Sequence, residues 1–344
     1  MELPLSAFAH STTYLDTAGA GVLPRSAVAA VRELAEAAGA GLPAGAGDFG
    51  VVERVRSSFA ALVSVDPGRV AVGSTVATHV GLIAASLPAR AEVLLPEREF
   101  ASVVNPFVLR GDLDVRFAPL DSLAGAVRPD TALVALSAVQ SADGRTADLA
   151  AVRAATAAHG ARMLVDATQA AGWLPFDASP YDYTVTGGYK WLLGGRGASY
   201  LTVSREAQSG LTPLHAGWVA AESKWDAVYG PMRRLAADAR RFDESAAFLP
   251  YYAAEASLAL LERVGVDAVH AHDTALAARY RTGLARRPVP GDSAIVSVPG
   301  LAHRQPALEA AGIRTSARDG ALRASFHLYN TEADVDRLLN ALPG

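Results

Sequence analysis

The sequence predicts an α/β fold, a mostly parallel sheet covered by helices, followed by a smaller C-terminal α+β unit. Three observations carry that reading. Between residues 69 and 165, short apolar runs alternate with helical patterns at the spacing of strand–helix–strand units. After Asp166 the alternation stops, two apolar runs come close together across a Gly-rich turn, and a long helical stretch leads into a second set of strands. The chain has 344 residues, 51% of them hydrophobic, which is enough for a large core and two lobes.

In chain order, residues 1–23 read as an N-terminal segment. Apolar residues at helical spacing mark helices over 25–38, 48–63 and 77–86, with a Gly-, Ala- and Pro-rich loop over 39–50. Strands are expected at 69–72, 92–95, 114–117, 132–137 and 162–165, with helices at 101–109 and 148–159 between them. Two further strands, 183–186 and 198–203, flank the Gly-rich turn. An irregular stretch from Leu214 to Arg241, rich in Trp, Gly and Arg, precedes a helical region over 245–285. Strands at 293–298, 313–317 and 321–326 and a closing helix at 332–341 complete the chain. These elements divide it into a large unit over 24–250 and a small one over 251–344.

Composition removes several functions. The net charge is −4 with both signs scattered, so no basic block offers itself to nucleic acid or an anionic membrane. There is no cysteine, hence no disulfide, zinc–thiolate site, iron–sulfur cluster or cysteine nucleophile. The start, MELPLSAFAHSTTYLD, lacks a basic region followed by an apolar one, and no 18-residue apolar run occurs. A cytoplasmic protein is therefore expected. Lysine is nearly absent: Lys190 and Lys224 are the only two. Chemistry that needs a lysine amine has two candidates.

Ligands of open α/β sheets bind beyond the carboxyl ends of the strands, and three segments put polar groups there. Val72-Gly73-Ser74-Thr75-Val76 runs from a strand into a helix, where two hydroxyls and free amides make an anion cradle or an ordinary N-cap. Met163-Leu164-Val165-Asp166 ends an apolar strand on a carboxylate, which needs a cationic or hydrogen-bonding partner. Gly187-Gly188-Tyr189-Lys190-Trp191-Leu192-Leu193 sets a lysine among apolar residues and glycines. An apolar setting depresses a lysine pKa and makes a nucleophile suited to Schiff-base chemistry. Lys224 lies beside Glu222 and Asp226 and reads as solvated. An anion cradle, a strand-end carboxylate and an apolar lysine together specify pyridoxal phosphate (PLP): phosphate, pyridine nitrogen and aldehyde each find a partner. No P-loop and no dinucleotide fingerprint competes with that reading.

These residues resemble the class V aminotransferases, a family of fold-type I PLP enzymes that includes cysteine desulfurases, kynureninase and isopenicillin epimerase-like proteins. The likeness extends from Tyr14-Leu15-Asp16-Thr17-Ala18-Gly19 to Leu322-Arg323-Ala324-Ser325-Phe326-His327-Leu328-Tyr329-Asn330-Thr331. It implies that Lys190 binds PLP as an aldimine and that Asp166 pairs with the pyridine nitrogen. Gln169 would donate to the ring's phenolic oxygen, Phe100 would stack on the ring, and Ser74, Thr75 and Tyr189 would meet the phosphate. Arg323 would clamp the substrate's α-carboxylate, a task suited to a planar bidentate donor. Read without the family, Phe100 is a core residue and Arg323 a surface one. A homodimer with active sites at the subunit interface is also implied.

The family pattern is broken in three places. Arg241-Phe242-Asp243-Glu244-Ser245 lacks the threonine that reaches a partner subunit's phosphate, with Ser245 as a stand-in. An asparagine common after the strand ending near Ser137 is replaced by Val139-Gln140-Ser141, and Tyr189 replaces the usual His, Gln or Arg. Desulfuration also needs a thiol to accept sulfur, which this chain lacks. The expected reaction is β-elimination from an amino acid, of the carbon–sulfur lyase type, with transamination and epimerisation as alternatives. Aromatics over 214–229 either shape the pocket or pack at an interface.

Overall fold

The computed structural model describes residues 4–284 and 293–342. After the short strand β1 (Thr13–Tyr14), helices α1 (Arg25–Gly39) and α2 (Phe49–Leu62) lead into the central sheet. The sheet contains β2 (Val70–Gly73), β3 (Glu92–Pro96), β4 (Asp114–Ala118), β5 (Thr131–Ser137), β6 (Arg162–Asp166), β7 (Tyr183–Gly187) and β8 (Ser199–Val203). Helices α3 (Val76–Ser86), α4 (Ala101–Val108) and α5 (Leu149–His159) connect its strands, and the single turn α6 (Arg205–Gln208) follows them. The strand order is β2-β8-β7-β6-β5-β3-β4. Strands β4, β3, β5, β6 and β7 run parallel, whereas β8 is antiparallel to both β7 and β2. The carboxyl ends of β2, β3, β5, β6 and β7 therefore share one edge with the start of β8. That edge receives Ser74, Phe100, Ser137, Asp166 and Lys190.

Burial explains why these strands read as apolar runs without alternation. Strands β2, β3, β6, β7 and β8 are almost entirely buried, with one core cluster on each face. Helix α7 (Phe248–Val264) packs on α1 and α2. Helix α8 (Val266–Gly283) packs with α10 (Glu332–Asn340) on the three-stranded antiparallel sheet β11-β12-β9. Its strands are β9 (Ile295–Pro299), β11 (Ser316–Arg318) and β12 (Ala321–Ser325), with helix α9 (Gln305–Ala310) and strand β10 (Ile313–Arg314) between.

Two expectations change in detail. The single helical region over 245–285 is two helices, because Gly265 takes φ +82° between them; its last residue lies outside the described residues. The strand expected over 313–317 is also two. Its first half, β10, pairs in parallel with β1, and its second half, β11, pairs with β12. This split has a functional consequence. The N-terminal segment is strapped to the small sheet through β1 and through Ser325, whose amide donates to Leu15 O. Asp16 is thereby carried to Arg323.

A buried ion pair fixes the chain beyond the irregular stretch. Arg56 makes a bidentate contact with Asp243 (2.7 and 3.1 Å), and Asp243 also accepts from the Val72 amide. Both side chains are buried. Asp243→Ala is expected to cost about 3–5 kcal/mol, because it strands a buried guanidinium. Urea unfolding of the variant measures this, and an unchanged midpoint would contradict it.

Candidate active site

The sheet edge encloses a cavity of about 360 Å³. Its reactive group comes from the turn after β7. Lys190 is 4% exposed, and its Nζ lies 5.2 Å from the centre of the Phe100 ring and 5.7 Å from that of Tyr189. No hydrogen-bond acceptor engages Nζ among the described residues. The turn itself is heavily held. Trp191 Nε1 donates to Gln169 Oε1 (2.7 Å), His327 Nε2 donates to Trp191 O (3.0 Å), and Ser257 Oγ donates to Leu193 O (2.7 Å). Asp273 fixes His327 from behind through Nδ1 (2.9 Å). Leu193 sits in the left-handed region at φ +56°, which its bonded carbonyl helps to hold. The N-terminal segment crosses this turn so closely that a Cβ on Gly21 would fall 2.1 Å from Lys190 O. Only glycine fits there.

Burial pushes the Lys190 amine down to about 8; Asp166 opposes the shift, while Arg323 and Arg196 add to it. Asp166 ends β6 and accepts from the Thr168 amide (2.8 Å). Burial lifts its carboxyl to about 6 against the stabilising Thr168 bonds and Lys190 charge, so it is ionised at neutral pH. The two groups form a mutually supporting acid–amine pair in one cavity.

Thr75 caps α3, accepting from the Thr78 amide, and the opening residues Val76 and Ala77 line the cavity with helix-start amides. Ser74 also lines it, but its amide and Oγ both bind Glu244 Oε2, at 3.1 and 2.6 Å. Phe100 is on the wall and 42% exposed, so it is no core residue. Glu99 sets its position by accepting from the Phe100 amide, Ser137 and Gln140 together.

Gln169 reaches the wall with both amide hydrogens engaged, on Ala18 O and Ser141 Oγ. Arg323 stands apart. It is buried behind Ser141 rather than on the cavity wall, bonded to Ser141 O and Oγ, Ser316 Oγ and Asp16 Oδ1. A substrate carboxylate would reach it by displacing Asp16. Lys224 is held at 2.9 Å by Glu53 and does not line the cavity. Ser245 is exposed and off the wall; the aromatics over 214–229 are off the wall too, with Trp218 and Trp225 packing on Phe49.

Sequence reading missed Ser141, Thr168 and Arg196, all on the wall. Ser141 Oγ accepts from Gln169 and Arg323, which leaves its own hydrogen free to donate. Its segment, Val139-Gln140-Ser141, stood out in the sequence only as the place where the family's asparagine is replaced. Arg196 did carry a signal, because it lies among glycines six residues after Lys190, the same pattern that drew attention to the lysine.

Residues 13–291 match the sequence profile of class-V aminotransferases. The chain belongs to the class-V aminotransferase family. It is 28% identical to the isopenicillin N epimerase of Streptomyces clavuligerus, over 95% of this chain and 93% of that one. It is 27% identical to YcbU, an uncharacterized aminotransferase of Bacillus subtilis (strain 168), over 84% and 82%. Among solved structures it is similar to the cystine C–S lyase C-DES in complex with its product cysteine persulfide, with TM-score 0.84, 25% identity and 96% and 97% coverage. A mutant of C-DES has been solved with glycine covalently linked to its PLP cofactor. This member of the class-V aminotransferase family is accordingly a fold-type I PLP enzyme.

The residues present fit PLP. A buried amine of lowered basicity suits the aldehyde, a buried carboxylate the pyridine nitrogen, and a helix start with a threonine hydroxyl the phosphate. Covalent attachment requires the neutral amine. At pH 7 about a tenth of an amine of pKa 8 is neutral, several hundred times the fraction at an unperturbed 10.4. Uptake of PLP by the cofactor-free protein is expected to accelerate as pH rises to about 8 and to level off above it. Stopped-flow absorbance checks this. A rate that still climbs tenfold between pH 9 and 10 would contradict it. Among the described residues no helix is long and apolar enough to cross a membrane.

Proposed function

We propose that this PLP enzyme releases a β-substituent from an amino acid, with a carbon–sulfur bond as the bond broken. The observation that carries the reading is Lys190, a buried amine of lowered basicity in a chain with no cysteine to accept sulfur. Elimination needs one base to take the Cα proton and one acid to protonate the departing β-substituent, and Lys190 can do both by passing on the proton it has taken. Epimerisation needs a proton carrier on each face of Cα. Among the described wall residues only Tyr189 remains for that, since Asp166 is committed elsewhere. Likeness to a cystine C–S lyase supports the same choice. Transamination is the second reading, favoured by the similarity to YcbU.

PLP supplies the electron sink that makes Cα acidic. The roles of the chain follow from its geometry. Lys190 would hold the cofactor's aldehyde and, as a free amine, is the base placed to take a substrate's Cα proton. Asp166 holds a proton on the pyridine nitrogen. Phe100, fixed by Glu99, covers the ring. Thr75, the α3 amides and Tyr189 hold the phosphate, with Ser74 joining when Glu244 releases it. Ser141 would donate to the phenolic oxygen, with Gln169 able to do so once an amide hydrogen leaves Ala18 or Ser141, and Arg323 would take the α-carboxylate in exchange for Asp16. The reading also includes a cytoplasmic homodimer and the division into units at residue 250.

The test is ammonia and keto-acid formation from β-substituted amino acids, without and with an added keto-acid acceptor. Equimolar ammonia and keto acid without the acceptor is the expected result. An absolute requirement for the acceptor would establish transamination instead.

A further inference from the structure

One cation on the cavity wall has no counter-charge. Arg323 is paired with Asp16, and Lys190 shares its cavity with Asp166. Arg196 lines the same cavity, and among the described residues no carboxylate lies within ion-pair distance of it. It is exposed but not loose: its guanidinium carbon sits 4.1 Å from the centre of the Tyr189 ring. Stacking at that distance fixes the planar fork and leaves its edge N–H groups unused. Lys190 Nζ is 5.7 Å from the same ring centre. The reactive amine and an unused bidentate donor thus share one aromatic shelf.

The cofactor's phosphate has donors of its own in Thr75, the start of α3 and Tyr189, which leaves Arg196 for the substrate. Arg196 shares the cavity with Lys190, the amine that a substrate must approach. A guanidinium held flat on an aromatic ring recognises planar anions through two parallel hydrogen bonds.

We propose that Arg196, stacked on Tyr189, binds a second carboxylate carried by the substrate's side chain, so that the preferred substrates are amino acids with an acidic β-substituent. This rests on the reading of the protein as an enzyme acting on amino acids. It adds a specificity site that the α-carboxylate contact at Arg323 does not provide.

A matched pair of thioethers tests it on the holoenzyme: S-carboxymethyl-L-cysteine, which carries the extra carboxylate, and S-ethyl-L-cysteine, which does not. Binding is read from the change in the visible spectrum, and PLP affinity is read separately by titrating cofactor-free protein. The wild type is expected to bind the acidic compound about tenfold or more tightly than the neutral one. Arg196→Gln should abolish the preference, leaving S-ethyl-L-cysteine affinity unchanged and PLP affinity, measured above pH 8, within about twofold of the wild type, and Arg196→Lys should restore part of it. Equal binding of both compounds by the wild type overturns the proposal while the enzyme reading stands. A loss of PLP affinity in Arg196→Gln overturns it in favour of a phosphate contact. If neither compound perturbs the spectrum, the amino-acid reading fails and takes the proposal with it.

Discussion

Lys190→Ala is expected to lower acceptor-free ammonia release by roughly 10⁴-fold or more, since the change removes both the covalent anchor and the base. No neighbour can substitute. The chain's other lysine, Lys224, is bound to Glu53 at 2.9 Å, stands over Phe49 and is absent from the cavity wall. Tyr189 is adjacent, but a hydroxyl cannot form the carbon–nitrogen bond that anchors the aldehyde. The fold should survive the change. Lys190 makes no hydrogen bond through Nζ among the described residues, and the turn is held by Trp191, Leu193 and their partners. Removing a desolvated amine should leave the urea midpoint at or above the wild-type value. Loss of activity with an intact midpoint separates chemistry from folding. Retention of more than a few per cent of activity would exclude Lys190 as the base.

Asp166→Asn is expected to reduce turnover by about 10²–10³-fold, the scale set by removing one preorganised electrostatic partner. The amide keeps the shape and can still accept from the Thr168 amide, so the strand end should not shift. It loses the charge that holds a proton on the pyridine nitrogen, and the cofactor then draws less electron density from Cα. A second effect follows from the same contact. The Asp166 charge raises the Lys190 pKa against burial, so its removal lowers that pKa further. The plateau in the pH dependence of PLP uptake should therefore begin below pH 8 in the variant. Slowed turnover without that shift would mean that Asp166 and Lys190 do not communicate as the cavity geometry requires.

The local chemistry of the site was readable because it depends on residue types that this composition makes rare or gives a fixed place. A lysine in a nearly lysine-free chain, an aspartate closing an apolar strand and a Ser-Thr pair opening a helix all stand out in one dimension. The parallel sheet was readable for a related reason, as its strands are buried on both faces and appear as continuous apolar runs. What escaped depends on long-range contacts. Strand β1 has two residues and exists because Ile313 and Arg314 lie beside it, far along the chain. The saturation of Arg323 by Asp16 and Ser141 needs the N-terminal strap, which no local pattern encodes. Glu244 reaches Ser74 only because Arg56 and Asp243 anchor the preceding residues to β2. Aromatics over 214–229 left a pocket and interface packing both open. Trp218 and Trp225 pack on Phe49 because α2 begins beside them.

The central claim is that this member of the class-V aminotransferase family carries PLP on Lys190. Its most direct test is borohydride reduction of the PLP-loaded protein followed by peptide mass spectrometry. With two lysines in the sequence, the assignment is unambiguous. The account predicts one pyridoxyl adduct per chain, confined to the peptide containing Lys190 and absent from Lys190→Ala. An adduct on Lys224, or no adduct on either lysine, would contradict it.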